Sequence, residues 1–338
     1  MTVTDRKKNK QLAILSVLRA SDRPLTSSNI SQDLASSLGH LMSERTVRLY
    51  LKEMDEDGLT DRLGRKGRRI TERGLSELDS SRIIERVGFL SARIDRMTYR
   101  MNFDITSGRG TVVVNLTIVE PRYLIQCADM ICRVFEEGYA MGQLIALLAP
   151  GECIGHVSVP EEMIGIGTVC SITLNGVLLK YGIPTNSRFA GLLEIRDRKP
   201  LRFVEMITYE GTSIDPLEVF IRSGMTDYVG AIRTGSGRIG ASFREFPAES
   251  RDLVEHLAHR LETVGLGGFM RIGLPSQSLF EIPVSEGRVG AVVIGGLNPV
   301  SILEETGVRA YSRALAGLVD YSRLFKYDEL PDRVRGFL

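Results

Sequence analysis

The stretches GTVCSITLN (residues 167–175) and GAVVIGGLN (residues 290–298) decide how most of this chain of 338 residues folds. Each reads as a buried strand running into a short helix, with Asn175 and Asn298 as the caps that open those helices. Pro299 stands where a first-turn proline belongs. The two stretches align at a separation of 123 residues, and further matches lie on both sides. Met97-Thr98 corresponds to Met225-Thr226, and Ser107-Gly108-Arg109 to Ser236-Gly237-Arg238. Val159-Pro160 corresponds to Ile282-Pro283. Gly182, Ser187-Arg188 and Gly191-Leu192 correspond to Gly307, Ser312-Arg313 and Gly317-Leu318. The order is kept while the separation drifts between 123 and 129, as loops of unequal length would make it.

Each half then reads alike. A strand (111–119 or 238–245) leads into a long amphipathic helix (122–138 or 249–264). A strand near 143–149 or 269–274 follows, then a crossover containing proline, a buried strand and a short helix. The expectation is an α/β regulatory domain over 86–330, made of two similar lobes that arose by internal duplication, with pseudo-repeats 86–210 and 212–330. A cleft between two lobes is a favourable place for a small ligand.

The first eighty residues are different. They carry 15 Lys and Arg against 12 Asp and Glu, a mild cationic bias that the rest of the chain lacks. Leu12, Leu15 and Leu18 mark the inner face of a first helix, which Pro24 ends. Thr26 or Ser27 caps a second helix with Ile30, Leu34 and Leu38 inward, closed by Gly39. Ser43 caps a third, with Val47, Leu51 and Met54 inward and Gly58 as its stop. Its opposite face carries Arg45, Thr46, Arg48, Leu49 and Lys52. LTDRLGRKGRRITE (59–72) then reads as two short strands around a turn with Arg65 and Lys66 at its tip and Arg68 and Arg69 behind it. Three helices and a basic hairpin make a winged helix-turn-helix over residues 1–80. The third helix would enter the major groove while the wing neutralises phosphates. Winged helices also dock proteins; here both exposed surfaces are cationic, which docking does not require.

Composition narrows the function. The net charge is +1, so the whole chain is neither a basic nucleic-acid glue nor an acidic tail. The longest apolar run, Val289 to Leu297, is half of what a bilayer requires, so no membrane span is expected. The charged start runs into an amphipathic stretch rather than a signal peptide, which points to the cytoplasm. Cys127, Cys132, Cys153 and Cys170 form no C-x-x-C pair and read as reduced thiols. With four histidines and no H-E-x-x-H, no metal site is expected.

No nucleophile stands beside a base by any known signature, so no catalytic residue and no enzymatic activity are expected. Gly235-Ser-Gly-Arg-Ile-Gly240 spells G-x-G-x-x-G, but a strand-like segment follows it where a dinucleotide site needs a helix. A hairpin turn is the simpler reading. Arg188 and Arg313 stand at matched positions after serines, suited to a bidentate carboxylate or to a structural ion pair. YEGTSIDP (209–216) has no copy in the second half, and its Gly211-Thr212-Ser213 is an anion loop or a turn.

The winged helix, followed by GTVCSITLNGVLLKYGIPTNSRFAGLLEI, YEGTSIDPLEVFI and GLPSQSLFEIPVSEGRVGAVVIGGLNPV, resembles the NrpR regulators of methanogenic archaea over essentially the whole chain. That resemblance implies a repressor of nitrogen-fixation and nitrogen-assimilation genes. It would bind palindromic operator DNA as a homodimer and be released by 2-oxoglutarate, an effector rather than a cofactor. Some family members carry two regulatory domains; this chain has room for one. That variant form would work with a second NrpR-type subunit lacking the winged helix. The expected effector residues are Cys170, Asn175, Arg188, Thr212 and Ser213, with Cys153 in support. The alternative is a regulator of the same architecture sensing a different small carboxylate, ahead of an enzyme with an accessory winged helix.

Overall fold

A computed structural model of the chain describes residues 3–21, 23–38, 42–78 and 89–337. It divides into two units, Met1–Gly88 and Phe89–Leu338. The expected boundary between 80 and 86 lies outside the described residues.

The first unit is a winged helix. Helices α1 (Val3–Arg19), α2 (Ser27–Leu38) and α3 (Glu44–Glu56) precede strands β1 (Thr60–Arg62) and β2 (Arg68–Ile70), which a 3-10 turn at Gly64–Lys66 joins. Thr26 Oγ1 accepts from the Asn29 amide and Ser43 Oγ from the Thr46 amide, the caps that start α2 and α3. Leu15, Leu18, Ile30, Leu34, Val47, Leu51 and Met54 are buried, so the helical spacing of the leucines translates directly into a core. The Leu38 side chain and Gly39 lie outside the described residues. Leu25 joins the edge of β2 through a single antiparallel bridge, exchanging backbone hydrogen bonds of 3.0 and 2.9 Å with Arg68. Gly67 permits this: its φ is +106°, and a Cβ there would sit 2.2 Å from the Leu25 carbonyl oxygen.

The second unit begins with α4 (Leu90–Arg100) and the buried strand β3 (Thr111–Val119). Then come α5 (Pro121–Glu136), β4 (Leu144–Leu148), the small hairpin β5 (Cys153–Ile154) and β6 (Val157–Ser158), and β7 (Ile164–Val169). Next are α6 (Ile172–Lys180), β8 (Asn186–Arg196), β9 (Lys199–Thr208), α7 (Pro216–Arg222) and α8 (Tyr228–Thr234). The second half follows with β10 (Gly237–Pro247), α9 (Arg251–Thr263), β11 (Phe269–Ile272) and β12 (Arg288–Ile294). The chain closes with α10 (Ser301–Glu305), β13 (Tyr311–Asp320), β14 (Phe325–Lys326) and α11 (Leu330–Arg335).

Two five-stranded antiparallel sheets result, in the orders β13-β3-β7-β4-β14 and β11-β12-β10-β8-β9. The duplication is visible in them: β3, β7 and β4 of one sheet match β10, β12 and β11 of the other. The last long strands are traded. β8, from the first half, pairs with β10, and β13, from the second, pairs with β3. Neither 86–210 nor 212–330 is therefore a self-contained lobe; each sheet is completed by the other half.

Register corrects the sequence alignment. Ser187 lies opposite Arg244 and Ser312 opposite Thr117, so Arg244 and Thr117 are equivalent. Gly167 pairs with Leu116, and Val292 with Phe243, which sets the separation of the buried strands at 125 rather than 123. A slip of two residues preserves the faces of a strand, so an apolar run cannot reveal it. Asn175 is consequently not the counterpart of Asn298, nor a cap: β7 ends at Val169 and Asn175 is buried inside α6. The counterpart of Asn298 is Thr173. Thr173 Oγ1 donates to the Val113 carbonyl at 3.1 Å, and Asn298 Nδ2 to the Gly240 carbonyl at 2.9 Å. The G-x-G-x-x-G segment is likewise not a hairpin turn. Gly235, at φ +76°, caps the end of α8, and β10 starts at Gly237. The order is helix to strand, the reverse of a dinucleotide fold.

Candidate functional site

Within the second unit, the two strand-to-helix junctions meet. Cys170-Ser171 leads from β7 into α6, and Gly295-Gly296 leads out of β12. They touch because Gly296 has no side chain: a Cβ there would lie 2.4 Å from the Val169 carbonyl oxygen and 2.5 Å from Asn115 Nδ2. Beside this contact is a cavity of about 20 Å³, on the scale of one water molecule, walled by Asn115, Cys170, Ser171, Tyr209, Asp215 and Leu315 among others. Asn115 of β3 and Ala314 and Leu315 of β13 line it from one sheet, and much of the rest comes from the segments that follow β7, β9 and β12.

The wall is held with unusual backbone. Residues 314–316 of β13 bulge out opposite Asn115, and Leu315 sits at φ +51°, a left-handed conformation that costs a bulky residue of order 1–3 kcal/mol. The Leu315 amide donates to Asn115 Oδ1 at 3.2 Å and the Ala314 amide to Glu218 Oε1 at 2.6 Å, which holds the bulge in place.

Four groups here are shifted. Burial pushes the Cys170 thiol up to about 12, so it stays protonated. Tyr209 is raised by the same desolvation. Asp215 caps α7 by accepting from the Leu217 amide at 2.9 Å, yet burial, reinforced by Glu218, pushes its carboxyl up to about 6. Arg244 is 1% exposed, and burial lowers its pKa. Its Nη1 donates to the Ser171 carbonyl at 2.8 Å and to Asn175 Oδ1, while Nη2 donates to Ser171 Oγ at 2.8 Å.

Of the expected effector residues, Cys170 is on the cavity wall and Asn175 reaches it through Arg244. Arg188 lies elsewhere, its Nη1 2.8 Å from Glu245 Oε1 and 2.6 Å from the Pro283 carbonyl oxygen. Thr212 accepts from the Leu90 amide through its carbonyl and from the Ile214 amide through Oγ1, making a turn. Ser213 is half-buried beside it, and Cys153 is exposed on the β5–β6 hairpin; neither is on the wall. Sequence reasoning missed Tyr209 and Asp215, which flank the Thr212-Ser213 pair it selected. An aspartate directly before Pro216 is a helix-start signal that could have found Asp215.

The comparisons with known proteins agree with this architecture. A model of the NrpR regulatory domains NRD1 and 2 matches residues 87–326. The chain belongs to the NrpR family. A ribonuclease R winged-helix domain model matches residues 12–78 ahead of it. The global nitrogen regulator NrpRI of Methanosarcina mazei is 32% identical over 315 residues, which cover 93% of this chain and 97% of the relative. The global nitrogen regulator NrpR of Methanococcus maripaludis is 31% identical over 98% of this chain, which spans 56% of that longer relative. Among solved structures, a nitrogen repressor-like protein from Methanococcus jannaschii superposes with a TM-score of 0.60 at 26% identity, covering 71% of this chain and 98% of its own.

The NrpR-family winged helix presents Arg45, Arg48, Leu49 and Lys52 outward on α3, as a groove-reading helix would. Arg48 pairs with Glu44 one turn earlier, and Thr46 helps to cap the helix through Ser43. Lys66 and Arg69 are exposed on the wing, whereas the Arg65 side chain lies outside the described residues. Arg68 is used internally: its Nε lies 2.9 Å from Asp55 Oδ2, tying the wing to α3. Among the described residues, no helix is long and apolar enough to cross a membrane, and no cluster could hold a metal ion.

Proposed function

We propose that this chain is a DNA-binding transcriptional repressor of nitrogen-fixation and nitrogen-assimilation genes, released from its operator by 2-oxoglutarate. The observation that carries the reading is the match to the M. mazei nitrogen regulator over 93% of one chain and 97% of the other, winged helix included. The exposed cations of α3 and the wing support DNA binding, and a homodimer would present two such helices to a palindrome. The chemistry of the seam supports an acidic effector, since it joins a buried arginine to hydroxyl and thiol groups that burial keeps neutral.

Size supports coupling. A cavity of about 20 Å³ cannot admit a five-carbon diacid without parting the junctions around it. An effector that prefers a parted form shifts the population away from the form that holds DNA, which is what release requires. A mobility shift on a nitrogen-assimilation promoter at fixed salt, titrating 2-oxoglutarate against succinate, tests this. Release by 2-oxoglutarate alone is expected; release by another acid would reassign the effector. Binding that ignores every acid, even with an added NrpR-type subunit lacking the winged helix, would sink effector control.

A further inference from the structure

Arg244 is a buried cation without a counter-ion. Among the described residues no carboxylate makes an ion pair with it, and all three of its hydrogen bonds go to uncharged oxygens of Ser171 and Asn175. A guanidinium cannot shed its proton under ordinary conditions, so the charge persists at 1% exposure. The titratable groups that act on it, Tyr209 and Cys170, are both held neutral by burial.

The hydrogen-bond geometry shows which donors remain. A guanidinium has five N–H groups. Nη1 spends both of its own, and Nη2 spends one on Ser171 Oγ. Nε is buried with no partner. What is left is one N–H on Nε and one on Nη2, the side-on fork that grips a carboxylate with two parallel bonds. Ser171, which holds the other end of the guanidinium, is itself on the cavity wall, as are Cys170 and Tyr209.

The duplication provides an internal control. The position equivalent to Arg244 in the other sheet is Thr117, whose Oγ1 is 2.9 Å from Ser312 Oγ. The residues equivalent to Cys170 and Ser171, at the separation of 125, are Gly295 and Gly296. Of the two equivalent positions only Arg244 brings a cation to a junction, and of the two junction dipeptides only Cys170-Ser171 has side-chain donors of its own.

We infer that Arg244 is the group that reads a carboxylate of the small acidic effector, and that each chain takes one such ligand, at the β7–α6 junction alone. This rests on the acidic-effector reading proposed above. Ser171 and Asn175 act as positioning residues, holding the guanidinium so that its open fork faces the ligand.

Calorimetry of the full chain with 2-oxoglutarate tests the inference. One equivalent per chain is expected, with at least a hundredfold weaker binding by Arg244→Gln. Arg244→Lys keeps the charge but not the fork, and should bind at least tenfold more weakly; it serves where the glutamine variant fails to fold, circular dichroism reporting which variants are folded. Wild-type affinity in either folded variant, or two equivalents per chain, would overturn the inference while leaving the effector reading intact. A wild-type chain that binds neither 2-oxoglutarate nor any of a panel of small carboxylates would remove both.

Discussion

Arg188 and Glu245 form a structural ion pair across the β8–β10 ladder, 2.8 Å apart, with the carboxylate 2% exposed and also accepting from Ser285 Oγ at 3.1 Å. Arg288 Nε approaches the same carboxylate at 3.5 Å. Removing one partner of such a pair leaves a buried charge short of compensation. Arg188→Ala is therefore expected to lower stability by about 1–3 kcal/mol, less than a full buried-pair loss because Ser285 and Arg288 remain. In the folded fraction, calorimetric affinity for 2-oxoglutarate should be unchanged. A loss of affinity with stability intact would return Arg188 to the effector site.

Asp215 makes stability depend on pH with a sign opposite to that of most carboxylates. Its folded pKa of about 6 lies above the unfolded value near 3.8, so the folded chain binds the proton more tightly. The fully favourable contribution is present below about pH 4 and is lost as pH rises towards 6. Two units correspond to at most about 3 kcal/mol. Asp215→Asn keeps an acceptor for the Leu217 amide and stays neutral, so it should gain stability relative to wild type as pH rises from 4 to 7. Denaturant titrations at several pH values check this; parallel curves would contradict it.

On the wing, Lys66 and Arg68 should separate by the salt dependence of DNA binding. Lys66 is exposed, so Lys66→Ala should weaken binding at all sequences and lower the slope of log K against log salt by about 1. Arg68 is bound to Asp55, and its loss should instead destabilise the winged helix by about 1–2 kcal/mol. Melting curves and mobility shifts over a range of salt distinguish the two.

How much of this was legible in the sequence depended on the range of the interaction. The winged helix was readable because its core residues, Val47, Leu51 and Met54, follow the spacing of one helix and Ser43 caps it locally. The duplication was readable from ordered matches. The exchange of β8 and β13 was not, because nothing local in a strand names the sheet it joins. The two-residue slip escaped for the reason that strands repeat every two residues. Asn175 was misread as a cap because SITLN is rich in β-branched residues yet turns helical at Ile172. Arg244 was missed although an arginine inside a buried strand is rare enough to be a signal.

Gly296 tests whether the joining of the two junctions holds the second unit together. Its φ is ordinary, so alanine there brings no backbone strain, only a methyl group pressed against the Val169 carbonyl at 2.4 Å and Asn115 Nδ2 at 2.5 Å. Neither neighbour can yield cheaply: the carbonyl belongs to the end of β7, and Asn115, 2% exposed, accepts from the strained Leu315 amide. Overpacking of this kind costs about 1–3 kcal/mol and is relieved only by moving the junctions apart. Gly296→Ala should thus lower the melting temperature of the second unit and, by favouring the parted form, weaken operator binding in the absence of effector. Gly307→Ala, where no atom lies within 4 Å but φ is +82°, carries backbone strain at a remote turn. It should cost stability without altering operator affinity in the folded protein. Equal effects of the two variants on DNA binding would show that the seam transmits nothing beyond general stability.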